Sequence, residues 1–336
     1  MPKYNLCFLG FGNVGRALAR LFSTKSAELA ELYNIEWRIT GVATRRMGWL
    51  TNAVGFDVES LLAGKEQSGT VRERDFDVWL RNSRPDAVLE TTSLNVETGQ
   101  PAIDYLHAAL RTGAHAITAN KGTVVHGYEQ LSAAAAEAGK RYLFEATVLD
   151  SAPIFSLFRE CLPAVKLRAF AGVFNSTSNV IMEAMESGRS FDEGVQAARE
   201  LGVTESDPSH DVDGWDSTVK ICALARVLMK VPVTPNHVRR EGIRGLDVKT
   251  LRAARAEGRP YKLVARARLD DGAVVTATVR PEQLNATDPL ASVRGTSLGV
   301  HFELDMMPGL TIMSHRPNLQ STAYGLLADF VNAVRK

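Results

Sequence analysis

A chain of 336 residues is too long for one small domain and ample for two, at roughly 100–200 residues per domain. Hydrophobic residues make up 45% and charged ones 23%, which excludes wholesale disorder. With 39 basic and 38 acidic residues the net charge is +1, so the basic excess expected of a nucleic-acid or membrane-surface partner is missing.

In chain order, Asn5–Leu9 reads as a strand, Gly10–Gly15 as a turn, and Val14–Phe22 as a helix with Val14, Ala17, Leu18 and Leu21 on its apolar face. Further strands are predicted at Trp37–Ala43, Ala87–Glu90, Ala114–Thr118 and Arg141–Phe144, with helices at Pro101–Thr112 and Tyr128–Gly139. This alternation predicts an α/β fold with a Rossmann-type doubly wound parallel sheet over residues 1–145. After about Asp150 the pattern changes. A strand at Lys166–Phe174 meets helices at Ser178–Ser187, Phe191–Leu201 and Trp215–Met229. Two hairpins follow: Lys262–Leu269 with Ala273–Val279 across an Asp-Asp-Gly turn, and Val300–Leu304 with Leu310–Ser314. Residues 146–315 therefore read as an α+β domain, and 316–336, with the helix Thr322–Val334, as a segment returning to the first domain.

Three cysteines, Cys7, Cys161 and Cys222, form no Cys-X-X-Cys pair, so a disulfide framework is not expected and a reducing cytoplasm is. The opening Met-Pro-Lys-Tyr-Asn lacks a signal-peptide layout, and no apolar run reaches the ~18 residues of a membrane span.

Gly10-Phe11-Gly12-Asn13-Val14-Gly15 matches the dinucleotide fingerprint, directly after a strand and at a helix start. Gly10 permits the tight turn, Gly12 admits a pyrophosphate to the backbone, and Gly15 lets helix and strand pack. Amides at Asn13 and Val14 and the helix dipole then hold phosphate without a basic side chain. The next strand ends Ala43-Thr44-Arg45-Arg46, with no acid for a ribose 2′-hydroxyl. Arg45 and Arg46 stand where a 2′-phosphate would lie, which favours NADP over NAD; the alternative is a pair of solvated loop charges. Thr92, beyond the strand Ala87–Glu90, joins the cofactor candidates, as does Lys121 in the loop after Ala114–Thr118, because strand carboxyl ends face the ligand crevice.

The segment Thr204 to Lys220 packs five acids into 17 positions ahead of a mostly apolar helix. Asp216 and Lys220 are i and i+4 on that helix, and their face continues through Ala223, Leu224 and Val227. A partly buried lysine oriented by Asp216 suits proton transfer better than a surface ion pair would. His115 and His210 have no second ligand at metal spacing and read as local hydrogen-bonding groups.

Ala119-Asn120-Lys121-Gly122, Phe144-Glu145-Ala146-Thr147-Val148, Gly172–Asn179 and the Glu205–Lys220 segment occur in the order and spacing of homoserine dehydrogenases, and the chain resembles that family over essentially its whole length. The resemblance implies NAD(P)-dependent interconversion of aspartate 4-semialdehyde and homoserine, within threonine and methionine biosynthesis. It casts Lys220 as proton donor, Lys121 as a helper near nicotinamide and substrate, and Glu205 as holder of the substrate ammonium. Asp211 and Asp216 would shape the polar pocket, and Ser176 and Thr177 would line it. Glu145 and the Val148 carbonyl would hold a monovalent cation such as sodium. The second domain would serve substrate binding and dimerisation, its strand edges over 262–314 pairing in a homodimer. Because the chain ends at Lys336, a short form without a C-terminal regulatory domain is expected.

Three stretches depart from the family pattern. Leu149-Asp150-Ser151 replaces a glycine run beside the cation site, Ser176 replaces a glycine, and Arg316–Ser321 replaces a glycine-containing loop over the cofactor. The alternatives are a dehydrogenase of the same fold acting on another amino or hydroxy acid, and a nicotinamide-binding sensor without catalysis.

Overall fold

The computed structural model describes residues 1–204, 207–270 and 274–335. The chain divides into two units, Met1–Ser151 with Asn318–Lys336, and Ala152–Pro317.

In the first unit, β1 (Lys3–Leu9) buries Leu6, Cys7, Phe8 and Leu9, the continuous apolar run of a strand covered on both faces. After it come α1 (Asn13–Thr24), α2 (Ser26–Tyr33), β2 (Glu36–Thr44), β3 (Gly48–Phe56), α3 (Val58–Leu62), β4 (Val71–Glu73) and α4 (Phe76–Ser83). The unit continues with β5 (Ala87–Glu90), α5 (Ala102–Arg111), β6 (His115–Thr118), α6 (Lys121–Glu137) and β7 (Tyr142–Leu143). The sheet order β4-β3-β2-β1-β5-β6-β7 reverses direction of travel at β1/β5, the switch point at which such sheets bind ligands. Strands β2, β1, β5, β6 and β7 pair in parallel, as the alternation predicts.

Strands β3 and β4 are a correction to the wholly parallel sheet, because both pair antiparallel. Residues 45–47 alone join β2 to β3, and a connection that short cannot cross over; it can only turn back as a hairpin. Thr51 and Asn52 interrupt the apolar run of β3 and hide it from pattern reading.

Helix α6 starts at Lys121 rather than Tyr128. The Asn120 side chain caps it by accepting from Gly122 N at 3.0 Å. Gly122 and Gly127 depress the local propensity and conceal the first turns. Gly127 is there for packing: a Cβ would lie 2.9 Å from Ile103 Cγ1.

The second unit contains β8 (Leu167–Val173), α7 (Ser176–Glu186), α8 (Phe191–Glu200), α9 (Ser209–Val212), α10 (Trp215–Leu224), β9 (Val238–Arg240) and α11 (Val248–Ala256). Strands β10 (Tyr261–Asp270), β11 (Val274–Gln283), β12 (Leu298–Leu304) and β13 (Leu310–Ser314) complete it. The sheet order is β13-β12-β8-β10-β11-β9, antiparallel except where β9 joins β11. Both predicted hairpins form; the tip of the first, 271–273, lies outside the described residues. Helices α7 and α10 pack on β10. Helix α10 ends at Leu224 and continues as a π-helical turn, Ala225–Met229, instead of one α-helix to Met229. Helix α7 begins two residues earlier than predicted, so Ser176 and Thr177 sit on its first turn.

The last helix, α12 (Leu319–Val334), belongs to the first unit and starts ahead of the expected Thr322. Asn318 sets that start by accepting from Gln320 N and Ser321 N at 2.9 and 3.1 Å. Its Phe330 packs edge-on against Tyr4 and Phe22, ring centroids 5.7 and 5.4 Å away. Among the described residues no helix is long and apolar enough to cross a membrane.

Candidate active site

The glycine turn shows why its residues lack side chains. Gly10 has φ +92° and donates to Ala43 O at 2.9 Å; a Cβ there would lie 2.7 Å from the Thr91 carbonyl oxygen. A Cβ on Gly15 would lie 2.7 Å from Gly10 O, so α1 and β1 pack through that glycine. Gly12 differs. A Cβ there would meet nothing within 4 Å, so neither crowding nor a positive φ demands glycine. Open space over exposed Gly12 and Asn13, at the start of α1 beside Val14, fits a diphosphate held by backbone amides.

On the β2 side of the switch point, Arg45 and Arg46 are exposed in the β2–β3 turn, and Thr44 Oγ1 pins that turn by accepting from Met47 N at 2.8 Å. On the other side lie Thr92, after β5, and Lys121, half-buried at the first position of α6 rather than in a loop. Thr92 donates to the carboxylate of Glu90 from its amide at 2.7 Å. Glu90 ends β5, is fully buried, and was no part of the motifs.

In the second unit, the ammonium of Lys220 lies 2.9 Å from Asp216 Oδ2 and donates to the Phe174 carbonyl at 2.6 Å. The Lys220 and Asp216 side chains are 12% and 19% exposed, so this is not a solvated surface pair. Phe174 follows β8 and Asn175 follows Phe174. The Asn175 amide donates to Asp211 Oδ1 at 2.6 Å and to Asp216 Oδ2 at 3.1 Å. Its Oδ1 meanwhile caps α7 by accepting from Ser178 N at 2.8 Å. One buried amide thus ties β8, α7, α9 and α10 together. Burial, and then the Asp216 charge, raise the Asp211 carboxyl above its ordinary range, against the lowering effects of the Asn175 hydrogen bond and Lys220.

The acidic segment is sorted by location. Asp207 accepts from Ser209 N at 2.9 Å, just ahead of the short α9, and Asp213 pairs with Arg244 at 2.6 Å near the surface. Asp211 and Asp216 turn to Asn175 and Lys220. Glu205 lies outside the described residues. Ser176 donates to Thr296 O at 2.7 Å, and the buried Thr177 donates to Val203 O at 2.8 Å, anchoring the strand of chain that leads into the acidic segment. His210 is exposed.

Glu145 is buried on the 3₁₀ turn Glu145–Thr147, with Val148 next, and its amide donates to Asp329 Oδ2 at 2.8 Å. Asp150, with φ +54°, accepts from Thr322 Oγ1 at 2.7 Å, so this carboxylate fastens α12. Among the described residues no group of three or more His, Cys, Asp or Glu could hold a metal ion.

The motifs assign no role to Asn175, Asn120, Thr91 or Glu90. Asparagine at a strand-to-helix junction is a capping signal, which could have pointed to the first two. Asn175→Ser keeps a capping oxygen but deletes the bridging amide. It is expected to cost about 1–3 kcal/mol of stability by leaving Asp211 under-paired. Turnover is expected to fall at least ~10-fold. Thermal unfolding and steady-state kinetics check this; unchanged turnover would remove the bridge from function.

Two family models cover the chain: one described as homoserine dehydrogenase matches residues 153–331, and its NAD binding domain matches 10–145. An NAD(+)-dependent homoserine dehydrogenase of Pseudomonas canavaninivorans is 30% identical over 340 residues, covering 99% of this chain and 96% of that protein. The homoserine dehydrogenase of Methanocaldococcus jannaschii is 28% identical, with 98% of each chain covered. Among solved structures, a homoserine dehydrogenase from Thiobacillus denitrificans superposes with a TM-score of 0.83 at 28% identity, covering 100% of this chain and 74% of that one. A hyperthermophilic archaeal homoserine dehydrogenase in complex with NADPH gives 0.82 at 25% identity, covering 99% and 98%. With a glycine turn built for a dinucleotide in one unit and a tethered ammonium in the other, the chain belongs to the homoserine dehydrogenase family, and its activity is that of an NAD(P)-dependent oxidoreductase.

Proposed function

We propose that Lys220 moves the proton at the substrate oxygen in the interconversion of L-aspartate 4-semialdehyde and L-homoserine, and that NADP(H) is the preferred cofactor. The observation that carries this reading is the Lys220 ammonium, held 2.9 Å from Asp216 and 2.6 Å from the Phe174 carbonyl.

The bound nicotinamide supplies a hydride to the aldehyde carbon, leaving negative charge on the oxygen. Lys220 answers that charge. Its ammonium has three N–H donors, and among the described residues Asp216 and the Phe174 carbonyl take two, which leaves one for the substrate oxygen. Proton transfer from Lys220 then completes the alcohol; in oxidation the neutral amine takes the hydroxyl proton. Asp216 orients the amine, and Asn175 orients Asp216. Glu205 binds the substrate ammonium, which needs an acid near it, Asp211 and Asp216 shape the polar pocket, and Ser176 and Thr177 hold the chain that lines it. Lys121, at the mouth of β6, assists on the nicotinamide side.

The relatives divide on the cofactor: one is NAD(+)-dependent by name and another was solved with NADPH. The choice therefore rests on this chain's own residues. No acid ends β2, and two guanidiniums, Arg45 and Arg46, follow it. A monovalent cation such as sodium fits the hard oxygen donors of the buried Glu145 carboxylate and the Val148 carbonyl. The outer edge of β13, at the end of its sheet, supports a homodimer. Free Cys7, Cys161 and Cys222 support a cytoplasmic enzyme.

Homoserine should drive reduction of NADP+, followed by absorbance of the reduced nicotinamide, far faster than any member of a panel of 2- and 3-hydroxy acids. A preference for one of those acids would reassign the substrate, and cofactor binding with no turnover at all would contradict catalysis. The Arg45→Ala/Arg46→Ala double variant should raise KM for NADP+ at least ~10-fold through lost charge-assisted hydrogen bonds, while KM for NAD+ stays within about two-fold. Equal changes for both cofactors would place these arginines away from the 2′-phosphate.

A further inference from the structure

Glu90 is a fully buried acid at the carboxyl end of a central parallel strand, where an apolar residue would serve the core better. Both its oxygens are engaged by neighbours. Oε1 accepts from Thr92 N at 2.7 Å and from Thr92 Oγ1 at 2.5 Å, and Oε2 accepts from Thr118 Oγ1 at 2.5 Å. Thr118 Oγ1 in turn accepts from Asn120 N at 2.8 Å, so the Thr118 proton is committed to Glu90. Asn120 caps α6, whose first residue is Lys121. The Glu90 carbonyl also accepts from Ala119 N at 3.0 Å. From one carboxylate, then, run two short relays: one to the Thr92 hydroxyl, the other through Thr118 and Asn120 to the helix start that bears Lys121. Burial pushes the carboxyl up from its ordinary range, and the donated hydrogen bonds oppose that push.

Both relays end on the β5/β6 side of the switch point. In sheets of this kind the adenosine ribose is recognised at the end of the second strand, which here is β2, on the opposite side of β1 from β5, so the β5/β6 side is the one for the nicotinamide half of a dinucleotide. We propose that Glu90 is a positioning residue for that half: by taking the protons of Thr92 and Thr118 it leaves the Thr92 oxygen as an acceptor for the carboxamide N–H, and it fixes the backbone from which Lys121 projects. The proposal rests on the nicotinamide-cofactor reading above and adds a residue that touches neither substrate nor cofactor.

The test separates the two halves of the cofactor. Calorimetric binding is measured for the dinucleotide that the wild type binds better (NADP+ or NAD+) and for its matching ADP-ribose fragment, which lacks nicotinamide. In Glu90→Gln, which keeps size but alters the donor and acceptor pattern, the dinucleotide Kd should rise about 10-fold while the fragment Kd stays within about two-fold. Thr118→Val cuts only the relay to Asn120. It should lower kcat about 10-fold and leave both Kd values within about two-fold, a split that general loosening of the fold would not produce. Parallel loss of dinucleotide and fragment in Glu90→Gln would reduce Glu90 to a structural residue, and no change in either would also overturn the proposal. Should Glu90→Gln not fold, Thr118→Val decides: an unchanged kcat, or fragment binding lost along with kcat, refutes it. A wild type that binds neither dinucleotide would sink the cofactor reading itself, a result distinct from wild-type binding with an indifferent Glu90→Gln.

Discussion

A lysine ammonium withdrawn from bulk water has to be given acceptors, and much of the second unit is arranged to provide them for Lys220. The cost of removing an ion from water without partners runs to several kcal/mol. Here Asp216, one helical turn earlier, supplies the counter-charge, and the carbonyl of Phe174 supplies a neutral acceptor. Those two groups come from different elements, so α10 must lie against the end of β8 for the amine to be satisfied. Asn175 enforces that placement, since its amide spans Asp211 and Asp216 while its oxygen caps α7. Removing any member leaves another charged or polar group short of a partner, which is why the cluster behaves as one device.

The first unit obeys a different constraint, close approach of backbone to backbone. Gly10 lies against Thr91 and Gly15 against Gly10, so the turn, the start of α1 and the end of β5 meet without intervening side chains. Thr91 Oγ1 donates to Gly10 O at 3.0 Å and closes the contact. That packing leaves the amides at the start of α1 exposed and adjoins the chain just after β5, next to Glu90 and Thr92. Gly12 is the exception, since nothing in the fold lies within 4 Å of a Cβ placed there.

How much of this was legible in the sequence follows from the range of the interactions. The parallel strands and the glycine turn were readable because buried strands are continuous apolar runs and the fingerprint is local. The Asp216–Lys220 pair was readable because helical periodicity places i and i+4 on one face. Strand β3 was not, since Thr51 and Asn52 break its pattern and the arrest of the parallel order depends on the three-residue turn 45–47. The early start of α6 was hidden by Gly122 and Gly127: Gly127 answers to Ile103 on another helix, and Gly122 to the Asn95 carbonyl, from which a Cβ would lie 2.9 Å. The capping of α7 by Asn175 and the Thr92 bond of Glu90 are local, but the pairings that give these residues their place in the site reach Asp211, Asp216 and Thr118, 36, 41 and 28 positions away, and no local pattern encodes them. Glu205, to which the family resemblance gives the substrate ammonium, lies outside the described residues, so its part rests on the motif.

The central claim is that the amine at position 220 exchanges a proton with the substrate oxygen, and Lys220→Met tests it most directly, since methionine keeps the length of the side chain and removes the ammonium. Single-turnover hydride transfer in this variant should be slower by about 10²–10⁴-fold, with the cofactor dissociation constant within about two-fold of wild type. Added small primary amines should restore part of the rate. Hydride transfer at the wild-type rate, with cofactor binding intact, would contradict the account.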